Sequence, residues 1–129
     1  MVAETFPELL QEIVNDGHEV ACHYHYHDLM FKQSNDEIDQ NLVLAKNAIF
    51  KACGKEPKGF RAPVFSIPRN RIDILKVIEK HFDYDSSFVL FLNKFHKKDY
   101  FQNEPFTLGG LKEFPIVPKP FFNKKINIK

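Results

Sequence analysis

The sequence predicts an α/β fold in which parallel strands alternate with crossover helices. Three observations carry that reading. Two stretches open with capping boxes and continue with apolar residues at helical spacing. Short β-prone runs stand between the helical stretches and stop at proline or polar turns. The order along the chain is helix, strand, helix, strand, helix, strand, the pattern of a parallel sheet with crossovers.

The elements follow in order. Thr5-Phe6-Pro7-Glu8 reads as a capping box, with Leu9, Leu10, Ile13 and Val14 on the helix behind it and Gly17 as its terminator. A strand is expected over residues 18–23, with Val20 and Cys22 on one face, followed by a histidine-rich turn. Ser34-Asn35-Asp36-Glu37 is a second capping box, after which Ile38, Leu42, Ala45 and Ile49 run down one face to Gly54. Residues 59–62 read as a strand stopped by Pro63. Residues 70–80 read as a helix burying Ile74, Leu75 and Ile78. Two more strands are expected over 82–85 and 111–117, and the weakly periodic residues 86–110 between them read as a long loop.

Composition narrows the class. The 129 residues suit one domain, 1–129, and a hydrophobic share of 43% is enough for a core. The fourteen Phe are a heavy load for this length, so several rings are expected at a surface or groove. Eighteen basic residues against seventeen acidic give a net charge of +1 with no basic stripe, which does not indicate nucleic-acid binding. Cys22 and Cys53 read as buried thiols of a reducing compartment. No basic-then-apolar leader opens these residues, and no apolar run approaches the roughly 20 residues of a bilayer span. The expectation is a cytoplasmic chain without a membrane span.

Chemistry-bearing residues gather at expected strand ends. His23, His25 and His27 alternate with Tyr24 and Tyr26 where the first strand should stop. Ligands in parallel α/β folds collect at that carboxyl end, and imidazole is the common nitrogen ligand of zinc and its neighbours. His23 and His27, four apart, suit one ion. His25 is expected to point away, and His18, at the opposite end of the strand, to be structural. Arg61, before Ala62-Pro63-Val64-Phe65, brings a forked guanidinium suited to orienting a carboxylate. Asp85, within Tyr84-Asp85-Ser86-Ser87, is expected to pair with Arg61 or to polarise a histidine.

Taken in order, these stretches resemble polysaccharide deacetylases of the NodB-like family. Val2-Ala3-Glu4, Pro7-Glu8-Leu9-Leu10 and Gly17-His18-Glu19-Val20 are similar to the family's approach to its metal motif. His23 and His27 match its two metal-binding histidines, Arg61-Ala62-Pro63 its arginine–proline motif, and Tyr84 with Asp85, Ser86 and Ser87 a following segment. Gly110-Leu111-Lys112-Glu113-Phe114-Pro115 resembles a later one. Two positions depart: Tyr24 stands where the family usually has Ser or Thr, and Val64 where an aromatic is common.

The resemblance implies a partial, distorted (β/α) barrel and the metal-dependent removal of N-acetyl groups from a polysaccharide. It implies a divalent cofactor, zinc or alternatively cobalt, nickel or manganese, held by His23 and His27. It makes Arg61 and Asp85 the catalytic candidates and Pro63 and Phe65 the substrate contacts. The family's paired aspartates and its leucine–histidine motif find no match in this sequence, so an incomplete version with weak metal binding and little turnover is expected. The alternative is a non-catalytic glycan-binding or metal-binding module of the same fold.

Overall fold

The computed structural model describes residues 1–89 and 104–116. Four helices, α1 (Val2–Thr5), α2 (Pro7–Asn15), α3 (Asn35–Cys53) and α4 (Asp73–Glu79), accompany four short strands, β1 (Gly59–Phe60), β2 (Tyr84–Asp85), β3 (Phe106–Leu108) and β4 (Leu111–Glu113). The sheet runs β1-β2-β4-β3. The β1–β2 and β2–β4 pairs are parallel, as expected, and β3 joins β4 antiparallel. The antiparallel strand corrects the expectation of a loop throughout 86–110. Gly109, at φ +63°, and Gly110 turn the chain tightly enough to return it on itself. The Glu79 carboxylate at the end of α4 accepts a hydrogen bond from the Gly110 N–H and seats that turn. Val117 lies outside the described residues, as do 90–103 of the expected loop.

The second capping box forms as written. Ser34 Oγ accepts from the Glu37 N–H at 3.2 Å, and Glu37 accepts from the Ser34 N–H at 2.7 Å. Gly54, left-handed at φ 69°, closes the helix through its N–H to the Phe50 carbonyl. Ile38, Leu42, Ala45 and Ile49 are all buried. The first capping box does not form. Residues 2–5 are already a helical turn, so the Thr5 hydroxyl donates back to the Met1 carbonyl and Phe6 occupies the cap of α2. The expected helix 70–80 divides into a 3-10 turn, Arg69–Arg71, and α4.

The strand expected over 18–23 contracts to one parallel bridge between Cys22 and Phe60. Its two hydrogen bonds run from the Cys22 N–H to the Gly59 carbonyl and from the Arg61 N–H to the Cys22 carbonyl. The first expected strand therefore touches the sheet only at its carboxyl end, where the histidines begin. Cys22 and Cys53 are both buried and free, and burial pushes the Cys22 thiol up to about 11.

Register divides the sheet into two faces. Phe60, Asp85 and Glu113 are aligned across β1, β2 and β4, and Gly59, Tyr84 and Lys112 across the alternate position. Phe60 enters the core formed with α3 and α4, against Phe82 at a ring distance of 5.2 Å. On the other face the Tyr84 ring lies across Gly59, its hydroxyl donating to Glu19 at 2.9 Å and its edge meeting Phe114. A Cβ at residue 59 would occupy the volume of that ring. Gly59→Ala should therefore displace Tyr84, break its bond to Glu19 and loosen the segment leading to the histidines. The expected loss is about 1–3 kcal/mol in urea unfolding. Adding Tyr84→Ala should cost less than the sum of the two single changes. Strict additivity would show that the ring does not set this limit.

Candidate functional site

Two loops meet above the ends of the Cys22 bridge and β1. In the first, His23 and His27 are exposed, with ring centres 5.0 Å apart and planes at 73°. His23 Nδ1 donates to the Arg61 carbonyl at 2.8 Å. Since a carbonyl only accepts, the bond fixes the proton on Nδ1 and leaves the Nε2 lone pair for a ligand. His27 has φ 62°, a left-handed conformation that turns the chain sharply at the second imidazole.

Tyr24 lies between these exposed histidines but is buried, also at positive φ (70°). Its ring sits edge-on to Phe60 and its hydroxyl donates to Gln33 Oε1 at 2.5 Å. Burial pushes that hydroxyl up to about 12, so it remains a donor at neutral pH. The loop is thus pinned by a long side chain reaching down toward α3, in place of a short hydroxyl acting within the loop. Further along, Met30 is buried and its N–H donates to Ser66 Oγ at 3.1 Å, joining the two loops. Arg71 holds the exit, donating to the carbonyls of Phe31 and Gln33 and to Asn35 Oδ1.

The second loop follows β1. Val64 and Phe65 have φ 51° and 52°. A β-branched residue almost never adopts this region, and each such residue costs about 1–3 kcal/mol. Every non-glycine residue with positive φ among the described residues (Tyr24, His27, Val64 and Phe65) lies in these two loops. The strain is concentrated beside the two exposed imidazoles. Val64 and Phe65 are exposed at the tip. Pro63, expected as a substrate contact, is instead buried and serves to turn the chain.

The third contribution comes from the end of β2. Arg61 donates from Nε to the Ser86 carbonyl and from Nη2 to Ser86 Oγ, both at 3.0 Å. Ser86 Oγ donates onward to the Phe114 carbonyl at 2.8 Å. Ser87 Oγ accepts from the Ala62 N–H at 2.8 Å and donates to Asp85 Oδ1 at 2.6 Å, while Asp85 Oδ2 accepts from the Ser87 N–H. Adjacent serines thereby tie the ends of β1, β2 and β4 together.

These contacts correct the expected role of Asp85. It neither pairs with Arg61 nor meets a histidine. The alternation of the strand turns its side chain into the interior, where it is fully buried, while Arg61 lies exposed on the rim. His25 is buried beside Tyr26, with Nε2 3.8 Å from Glu4, and so stands apart from the His23–His27 pair as expected. His18 is exposed at the end of α2, its N–H closing onto the Ile13 carbonyl. The residues that sequence reasoning missed are Ser86 and Ser87 as tethers and Glu113 as a second buried acid. The signal for Glu113 was present: Leu111 and Glu113 share one strand face, and Leu111 is buried.

The donor set suits a divalent ion in part. His23 and His27 offer two imidazoles, one with its tautomer fixed. Among the described residues no group of three His, Cys, Asp or Glu side chains comes together that could hold a metal. The His pair borders a cavity of about 650 Å³ that also touches Glu19, Val20, Leu10 and Ile49. A smaller hollow lies between His23, Arg61, Tyr84 and Ser86.

The model of the polysaccharide deacetylase family matches residues 1–81, which include both loops and end before β2. A peptidoglycan deacetylase-like protein of Gibberella zeae, FGM2, is 38% identical over 88 residues, covering 65% of this chain and 24% of that protein. The peptidoglycan-N-acetylglucosamine deacetylase of Bacillus cereus is 29% identical over 70 residues, covering 54% of this chain and 26% of its own length. The chain thus spans about a quarter of the curated relatives it matches. Among solved structures, the family 4 carbohydrate esterase from Streptomyces lividans superposes with a TM-score of 0.58 at 26% identity, over 65% of this chain and 42% of that one. The architecture is that of the distorted NodB-type barrel, and its strained loops carry the paired histidines and the arginine. On the match to the family model, this chain belongs to the polysaccharide deacetylase family.

Proposed function

We propose that this protein removes N-acetyl groups from the sugars of a polysaccharide in a reaction that depends on a divalent metal. The observation that carries the reading is the His23–His27 pair at the rim, with His23 Nδ1 bound to the Arg61 carbonyl. His23 and His27 would hold the ion, zinc or alternatively cobalt, nickel or manganese. When bound, such an ion lowers the pKa of coordinated water toward ~7. The chain's own residues orient the parts around it. The Arg61 carbonyl fixes the His23 ring, while the Arg61 guanidinium, braced on Ser86, keeps Nη1 without an acceptor among the described residues. That free edge suits a carboxylate serving as base. Phe65 at the loop tip offers an apolar face to a pyranose ring. Asp85 acts from beneath as a positioning residue.

A second reading rests on a specific observation. No third metal-binding side chain joins the histidines among the described residues, whereas Tyr26, Phe31 and Phe65 are all exposed. A non-catalytic glycan-binding module of the same fold needs only those rings.

Two measurements decide between these readings. Zinc titration should show binding that falls by at least about 100-fold in His23→Ala and in His27→Ala, because loss of an outer-shell partner alone costs 10–100-fold. Undiminished zinc binding by both variants would remove the metal site. Acetate release from N-acetylchitooligosaccharides should disappear with a chelator and return with zinc. Arg61→Ala should lower the rate by roughly 10²-fold or more, and His18→Ala should leave it unchanged. Oligosaccharide binding unaffected by chelator, with no acetate released, would establish the non-catalytic module instead.

A further inference from the structure

Two buried carboxyl groups lie side by side beneath the rim. Asp85 and Glu113 occupy the same register position on adjacent parallel strands, and neither exposes any surface. Asp85 accepts two hydrogen bonds from Ser87, one from the backbone N–H and one from the hydroxyl. Glu113 Oε1 accepts from the Phe88 N–H at 3.2 Å, while its Oε2 is buried without a hydrogen-bond partner among the described residues. Two ionised carboxylates cannot coexist so close in a dry interior, where each loses its hydration and repels the other.

No described cation relieves them. The Arg61 guanidinium, just after β1, is turned to Ser86. Tyr84 and Lys112 stand at the alternate register position, on the opposite face. From α4 and its end come Glu79, bound to the Gly110 N–H, and Lys80 and His81, both engaged with Asp39 of α3. Lys46 of α3 faces Glu56 and the Phe82 ring.

We propose that Asp85 and Glu113 share a single proton and that Glu113 is a positioning residue for the rim. Resting on the deacetylase reading of that rim, the assignment adds a residue to it. Carried on Glu113, the proton leaves Asp85 able to hold the Ser87 hydroxyl and N–H. Ser87 in turn fixes the Ala62 N–H, next to Arg61, and Ser86 fixes the guanidinium itself. Burial, reinforced by Asp85, pushes Glu113 up to about 9, and burial raises Asp85 as well.

The sign of the pH effect follows. A carboxyl that keeps its proton in the folded state while the unfolded chain releases it contributes fully below about pH 4, the ordinary carboxylate range. That contribution is lost as pH rises toward the folded value near 9. Wild-type chain should therefore lose roughly 5 °C or more of unfolding midpoint between about pH 5 and pH 9. Glu113→Gln, which keeps a neutral donor of the same shape, should fold with a flatter profile and match or exceed the wild type at the alkaline end. Glu113→Ala should be destabilised throughout. In the wild type the infrared band of an un-ionised carboxyl should persist at neutral pH, and the Arg61 Nε–H resonance should shift with the same transition; in Glu113→Gln both signatures should be gone.

Absence of that band in the wild type, or identical pH profiles for wild type and Glu113→Gln, would overturn the proposal. The infrared measurement decides even where a variant fails to fold. Neither readout uses deacetylation, so an inactive protein that retains the band would count against the deacetylase reading and leave the pair intact.

Discussion

The serine pair after β2 is the junction on which the site depends. Parallel strands this short, two residues each for β1 and β2, cannot hold their ends in place through ladder bonds alone. Ser86 and Ser87 supply the missing connections sideways. One hydroxyl spans from the arginine to the carbonyl after β4, and the other from the backbone after β1 to a buried carboxylate. Because each hydroxyl both donates and accepts, it satisfies two neighbours at once, which a branched apolar residue of similar size could not do. The arginine's place on the rim, and through its carbonyl the orientation of the first histidine, follow from this junction.

The parts of the fold that were legible in the sequence are those decided locally. The α3 cap, its apolar stripe and its glycine stop all lie within one stretch of chain and depend on helix chemistry alone. The order of helices and strands was legible for the same reason, and the rim followed from where the strands should end. The parts that were not legible depend on partners far along the chain. The Thr5 cap was overridden by a turn formed upstream of it. The strand before the histidines needs a neighbour for its ladder, and among the described residues only Cys22 finds one. Asp85 was assigned to the rim because it stands near the end of β2, but alternation of side chains turns it inward. Its partner Glu113 lies in a different segment, and no local pattern joins the two.

The two loops show how strain and support are matched. Four residues held in an unfavourable backbone region require fixed surroundings, and each loop has them. The first is held by Tyr24 to Gln33, by Met30 to Ser66 and by the Arg71 fork. The second is held by the serine junction and by the buried Pro63. Such support suits loops that present imidazole, guanidinium and aromatic groups in fixed positions.

Tyr24 ties the first loop to the packing beneath it. Where family members commonly have a small hydroxyl residue, this chain has a ring that fills space against Phe60 and reaches Gln33. A serine at that position would reproduce neither contact. It would open a void beside Phe60 and leave the Gln33 side-chain carbonyl without its donor. Tyr24, Gln33 and Phe60 therefore form one packed unit, and an exchange of loops with a relative would succeed only if Tyr24, Gln33 and their shared packing moved as one.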